Sequence, residues 1–554
     1  VSSAFDFASN FFPLSSTAAG YSALGNASTV DPTATLNGAS LERHKTLTYT
    51  NGLSLVVGLI IGSGIFSSPA QVNMNAGSPG ASLLVWLFAG ILAWTGAASY
   101  AELGGAIPLN GGSQAYLSKI FGEWAGFLFT WSAVCVLRPG SAAIIAIICG
   151  EYLVRAVVGA NTGDVSPWVN KVVALTALIA VTLLNCISTK LGMRSANAFM
   201  ILKFLALLGV MITGIVVAVT GYSWHGDANK EWKTNGWFDG TSHDISEWAV
   251  ALYAGLWAFD GWDNVRTLLI FNVMRLLIFY TQVNYVAGEF VNPSRDIPRV
   301  IHSSLLIVII SYLCANLSYF FVLPSSVINS TNTVAVAFGQ QVFGAVGALL
   351  LALAVSGSCF GALNAQTFTS GRLVYAAGKE GYLPEFFSRI GFGRNIAIRM
   401  TSSGSNLTNR PNRFMRFISD DTGIFYTPIN AMALNALLTS GYIVVGEFAT
   451  LLTFCGVAGY TFYFSTVLGL IILRVREPDL ERPYKTWITT PIIFCCVSLF
   501  LLSRAVFARP DQTLIVVAFV LAGIPVYFWR VKRRNPKDLE KSSSWRFWKR
   551  WGRT

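Results

Sequence analysis

Three short stretches of the sequence carry residue types that could do chemistry. Ile60-Ile61-Gly62-Ser63-Gly64-Ile65-Phe66 sets two glycines and a serine inside an apolar run, and Asp260-Gly261-Trp262-Asp263 sets two carboxylates inside another. In the third, Leu202-Lys203-Phe204-Leu205-Ala206-Leu207-Leu208, one ammonium lies among aliphatic neighbours. A helix that starts after Gly64 aims free N–H groups and a partial positive charge into the gap before it, which suits a carboxylate. Glycine at that point lets a ligand come close to the backbone. The second break offers carbonyls at a helix end near Trp257, Ala258 and Phe259, which suit an ammonium group. A carboxylate cradle facing an ammonium cradle fits the zwitterion of a free α-amino acid. The plainer reading of Gly-Ser-Gly is a notch of small residues for close helix packing. Lys203 reads either as a cation substitute or proton carrier beside the break, or as a lysine snorkelling to water along its apolar stem. Arg138, next to Pro139, is a gate between cytoplasm and cavity or a satisfied helix contact.

The elements that must position these residues follow from composition. Of 554 residues, 53% are hydrophobic and 12% charged, about half the charge of a soluble domain, roughly 25%. This excludes a soluble enzyme and a disordered chain and implies an all-α polytopic membrane protein. Apolar spans are expected at about 51–76, 81–103, 124–153, 170–188, 198–221, 246–264, 301–322, 333–358, 429–446, 450–474, 488–507 and 512–530, twelve transmembrane helices in all. Spans one, six and eight look interrupted, the last at Ser356-Gly357-Ser358-Cys359-Phe360-Gly361. Unwound backbone at membrane depth is tolerated only where it lines a protein cavity, and matched breaks in spans one and six point to a central site between two halves. The net charge of +12 comes from basic residues concentrated on one side of the connections, which puts both termini in the cytoplasm and calls for no nucleic acid. No cysteine spacing suggests a metal site or a disulfide framework, and no cofactor is implied. The four histidines are scattered, so no catalytic nucleophile–base pair can be assembled and an enzyme is not expected.

Further stretches add specificity by their order: Ile60–Pro69; Ser99-Tyr100-Ala101-Glu102-Leu103-Gly104; Leu137-Arg138-Pro139; Leu184-Asn185-Cys186; Thr369-Ser370-Gly371-Arg372-Leu373; Glu380-Gly381-Tyr382-Leu383-Pro384; and Thr427-Pro428-Ile429-Asn430-Ala431. Together they resemble the L-type amino acid transporter family of the amino acid–polyamine–organocation superfamily. The resemblance implies an inverted five-plus-five helix repeat with broken helices 1 and 6, two extra helices, and Na⁺-independent amino acid transport. It implies that Ser63, Gly64 and Ile65 hold the substrate carboxylate and that the carbonyls of Trp257, Ala258 and Asp260 hold its ammonium. Trp257 would be an aromatic gate, and Lys203 would fill the region that a sodium ion uses in sodium-coupled relatives.

Two departures bear on specificity and partners. Asp260 stands where animal members have a small residue, so their side-chain preference cannot be copied. The segment 154–169 lacks the cysteine by which animal members bind a glycoprotein, which resembles the fungal branch with its methionine permeases and makes a covalent heavy-chain partner unexpected. The expected organisation is a disordered cytoplasmic tail over 1–46 without a signal peptide, a transporter domain over 47–530, and a basic cytoplasmic tail over 531–554. Residues 265–282 separate two family stretches that rejoin at the expected spacing when Asn264 is set beside Val283. Every Val codon begins GT and a Gln codon can be CAG, so the peptide from Val265 to Gln282 reads as a retained intron; the other reading is a longer sixth helix. Residues 395–426 form an atypical basic cytoplasmic loop, and Asn329-Ser330-Thr331 is a glycosylation sequon. The expectation is a plasma-membrane permease for neutral, methionine- or leucine-like amino acids working by alternating access, with proton symport through Lys203 or exchange as the coupling. A non-transporting nutrient sensor, or an inactive splice product, is the rival.

Overall fold

The computed structural model describes residues 53, 56–58, 60–107, 112–160, 165–187, 189–224, 226–227, 229–262, 293–379, 381–389 and 427–532, without the side chains of 189–201, 226–227, 293–297, 379 and 532. The expected tail over 1–46, all but the first two residues of the expected tail over 531–554, the insertion at 265–282, Asp263 and the loop at 395–426 lie outside the described residues.

Helix α1 (Gly64–Ala76) ends at Gly77, whose φ of 82° reverses the chain into α2 (Pro79–Ala106). Ser78 caps α2, its hydroxyl accepting from the Ala81 amide at 3.3 Å, and Pro79 fills the first turn, where no N–H is needed. A short α3 (Ser113–Phe121) leads to α4 (Glu123–Ser132), which passes through a π-turn at Ala133–Leu137 into α5 (Arg138–Val158). Pro139 explains that turn. It has no N–H for the carbonyl four residues back, that of Cys135, and the Tyr442 hydroxyl donates to this carbonyl instead at 3.1 Å. Then follow α6 (Pro167–Ile187), α7 (Thr189–Thr220), α8 (Ile245–Ala258), α9 (Pro293–Val322), the short α10 (Ser325–Ser330), α11 (Val334–Lys379), α12 (Ile429–Val445), α13 (Phe448–Arg476), α14 (Thr489–Ala508) and α15 (Pro510–Tyr527).

Among the described residues nine helices are long and apolar enough to cross a membrane. The apolar stretch of Glu123–Val158 is 78% buried within the protein, that of Pro510–Val531 only 11%, so the former is central and the latter peripheral. Leu, Ile, Val and Phe side chains stand exposed along the outer helices, as lipid requires. The chain is an integral, polytopic membrane protein.

One expected interruption is overturned. Across Ser356–Gly361 the helix α11 runs on without a break, and its only non-helical residue is Gly344, with φ 67°. The small residues there serve packing: Ser356 folds its hydroxyl onto the Leu353 carbonyl at 3.1 Å, and its own carbonyl receives the Cys149 thiol of α5 at 3.6 Å. The sixth span also ends earlier than 264, because α8 stops at Ala258.

The most buried charge lies in α2. Glu102 is fully enclosed and takes both guanidinium arms of Arg474, the Thr486 amide at 2.9 Å and Arg482 at 3.6 Å. This locks α2 to the end of α13 and to the strap that leads into α14. Removing one partner of such a group strands the other in low dielectric, at a cost of roughly 3–5 kcal/mol. Glu102→Ala should therefore lower the detergent-solubilised melting temperature far more than Lys119→Gln, whose partner Glu477 is 39% exposed; equal, small shifts in both would contradict the ion-pair account.

Candidate transport site

The first break is where the sequence puts it. Ile61 donates the last helical bond, to Val57 at 3.0 Å; residues 61–63 are bent; and α1 restarts at Gly64. The Ser63 carbonyl accepts from the Phe66 amide at 3.1 Å, the Ser67 amide at 3.2 Å and the Ser67 hydroxyl at 3.1 Å. The Gly64 and Ile65 amides precede that first bond, as the leading amides of any helix do. Ser63 does not cap the helix with its side chain; its hydroxyl meets the Cys359 thiol of α11. Ser63, Gly64 and Ile65 are all buried.

The second break comes against the first. A Cβ on Gly64 would lie 2.5 Å from the Ala258 Cα, so only glycine permits this crossing. Past Ala258 the chain turns: Phe259 donates to the Leu256 carbonyl and Asp260 to the Trp257 carbonyl, each at 3.1 Å. Trp257 is half-buried against the core, and Asp260 is exposed.

Tyr312 of α9, which the sequence reading missed, joins the two breaks. Its hydroxyl faces the Ala258 carbonyl at 2.9 Å and the Ile60 carbonyl at 3.1 Å, and the Gly62 backbone hydrogen-bonds to the same oxygen. Its ring is fixed between Trp86 and Phe259, with centroids 5.6 and 4.9 Å away. Two of the carbonyls expected for an ammonium are thus already engaged, Trp257 by the turn and Ala258 by Tyr312. Each carbonyl keeps a second lone pair.

Lys203 reaches the Gly58 carbonyl at 2.6 Å, at the end of the helical stretch that precedes the break. There a cation meets the negative pole of a helix end. Among the described residues no carboxylate pairs with it. Arg138 opens α5, half-buried and away from this cluster; Gln366 donates to its carbonyl at 3.5 Å.

On the far side of α1 a polar lid closes in. Asn73 donates to Asn329 at 2.7 Å and Gln71 to Asn332 at 3.3 Å, while Glu151 of α5 hydrogen-bonds Asn332. The sequon asparagine is therefore part of the lid contact. Tyr152 of α5 adds a bond to the Phe66 carbonyl at 2.7 Å.

The family model for amino acid permeases matches residues 47–528. The chain belongs to the amino acid permease family. Within that family it is similar to the mouse b(0,+)-type amino acid transporter 1, 32% identical over 480 residues that cover 86% of each chain. The human form of that protein is 31% identical over 486 residues, 87% of each. The mouse large neutral amino acids transporter small subunit 2 is 32% identical over 524 residues, 94% of this chain and 88% of that one. These relatives make the chain an L-type amino acid transporter family member and a transporter rather than an enzyme. The two breaks thus meet inside a member of a transporter family, and the relatives just named are amino acid transporters.

Tyr312→Phe in this permease keeps the ring and removes only the hydroxyl that joins the two breaks. Leaving a buried carbonyl unsatisfied costs about 1–3 kcal/mol, so labelled amino acid uptake at equal surface expression should fall about tenfold or more; unchanged uptake would show that the hydroxyl bridge has no role.

Proposed function

We propose that the protein is a Na⁺-independent permease that moves neutral amino acids of methionine or leucine size across the plasma membrane by alternating access. The contact of Gly64 with Ala258 carries this reading, because it brings a helix start and a helix end together where one zwitterion can span them. In the proposal, the Ser63, Gly64 and Ile65 backbone holds the carboxylate. The ammonium lies at the remaining lone pairs of Trp257 and Ala258 and at Asp260, and the Trp257 ring covers the substrate.

The proposed architecture has twelve spans in an inverted five-plus-five repeat with two extra helices. It adds the segment ending in Gly64–Ala76, the one beginning with Ile245–Ala258, and the apolar Ile429–Val445 to the nine long helices. Na⁺-independence is supported by the Lys203 ammonium, which already sits on the Gly58 carbonyl. Lys203 acts as that fixed cation or as the proton carrier of a symporter. Arg138 is proposed as a gate residue on the cytoplasmic route. Both termini face the cytoplasm, the side where basic connections collect. The name of one relative makes that protein a small subunit. For this chain we propose a transporter without a covalently bound heavy chain, since no cysteine occurs over 154–169. A second reading, cationic substrates, is favoured by the exposed Asp260 carboxylate at the break.

Purified protein in liposomes should take up labelled methionine in sodium-free buffer, with unlabelled leucine competing and arginine not. Replacing Gly64 by Val should abolish uptake while surface expression persists. Competition by arginine alone would move the assignment to cationic substrates, and amino acid binding without any flux would make the protein a sensor.

A further inference from the structure

Two cavities open on the same rim of the protein, away from the helix breaks. One, of about 450 Å³, is lined by Trp94, Arg299, His302, Ser303 and Leu306. The other, of about 520 Å³, is lined by Arg474, Lys485, Thr486, Trp487 and Ile488. The strap between α13 and α14 separates them, and Tyr484 at its centre meets the His302 Nε2 at 3.3 Å.

The walls share one chemistry. Among the described residues no acidic side chain lines either cavity. Among the described residues no carboxylate pairs with Arg299 or Lys485, while Arg474 and Arg482 together face the single Glu102. The acidic residues of the strap, Glu477, Asp479 and Glu481, precede the lining segment, and Glu477 is engaged by Lys119 at 3.3 Å. His302 is a wall rather than a charge. The Trp94 indole, which can only donate, bonds its Nδ1 at 2.6 Å, so the ring proton sits on Nε2 facing Tyr484.

Exposed apolar residues border both cavities. Trp487 is 83% exposed beside Ile488, in the manner of an interfacial tryptophan. Above the first cavity an aliphatic track continues on the same faces: Phe88 and Ile91 precede Trp94 on α2, and Ile310 follows Leu306 one turn along α9, all exposed.

We propose that this rim is a binding site for an anionic glycerophospholipid of the adjoining leaflet. One headgroup phosphate lies against Arg299 in the first cavity, with its acyl chains along the Phe88–Ile91 and Leu306–Ile310 track, and that of a second such lipid lies against Lys485 in the other cavity. The site braces the strap that Glu102 and His302 tie to α2 and α9. Its leaflet is the cytoplasmic one under the orientation proposed above, but lipid retention does not depend on that orientation or on transport.

The test is native mass spectrometry of the full-length protein from micelles holding equal mole fractions of phosphatidylglycerol and phosphatidylcholine. Each cation near a headgroup is worth about fivefold in partitioning, so the wild type should retain phosphatidylglycerol in clear excess. The Arg299→Gln, Lys485→Gln double variant should lose that excess. A control double variant, Arg389→Gln with Lys532→Gln, removes the same charge elsewhere and should keep it. The proposal is overturned if both double variants lose the preference equally, which is general electrostatics, or if the first keeps it. Displacement of the lipid by soluble glycerol phosphate would overturn it in favour of a free-phosphate site. Folding is checked independently by the elution profile of each variant on size exclusion.

Discussion

A helix that stops inside hydrocarbon exposes peptide groups that nothing in lipid can satisfy, and this permease stops two helices at one point. Gly64 and Ala258 touch at backbone distance. The peptide groups freed there are therefore shared between the breaks rather than scattered through the bundle. Tyr312 and Lys203 each take part of the load: one hydroxyl serves Ile60, Gly62 and Ala258, and one ammonium serves Gly58. What is left over, the leading amides of α1 and the second lone pairs at the end of α8, is the polar surface available to a ligand. The same arrangement explains why the residue at 64 must lack a side chain, since any Cβ would force the two breaks apart.

Elsewhere in the helices several buried polar groups are paired side chain to side chain or to backbone. Glu102 makes four contacts to three partners, Arg474, Arg482 and Thr486, and the carbonyl orphaned by Pro139 is capped by Tyr442. Asn185 and Asn364 bond one another where α6 meets α11. These contacts help fix the helices that surround the breaks.

The sequence exposed the breaks because glycine and aspartate inside apolar runs are costly without a purpose: Gly62-Ser63-Gly64 does interrupt a helix, and a helix does end just before Asp260-Gly261. The same reasoning misread Ser356–Gly361, where serines that bond back to their own helix and glycines that admit a neighbour imitate a break without making one. Tyr312 could not be found, because one tyrosine in Val-Ile-Ile-Ser-Tyr-Leu carries no pattern; its role depends on α9 passing beside both breaks, which is tertiary information. Lys203 was visible as a cost, but its partner, Gly58, is a backbone carbonyl and leaves no trace in residue types. The clearest failure of local reading is at Trp257 and Ala258. End-of-helix carbonyls look free in sequence, yet a following turn and a distant hydroxyl engage both.

The contacts around the site differ in kind from one side to the other. Toward α9 the breaks are held by a hydroxyl locked between aromatic rings, and to each other by the Gly64–Ala258 contact. Elsewhere the first break and its helix are held by single contacts: Tyr152 of α5 on the Phe66 carbonyl, a serine–cysteine pair between Ser63 and α11, and amide pairs to Asn329 of α10 and to Asn332. Thiols are weak hydrogen-bonding groups, and an amide–amide bond at a wetted face exchanges with water at small net cost. A transporter must keep its substrate cradle intact while the surrounding protein changes its grip. One tyrosine hydroxyl thus ties both interrupted helices to α9, whereas the thiol contact and the amide pairs tie only the first of them to α11, to Asn329 of α10 and to Asn332.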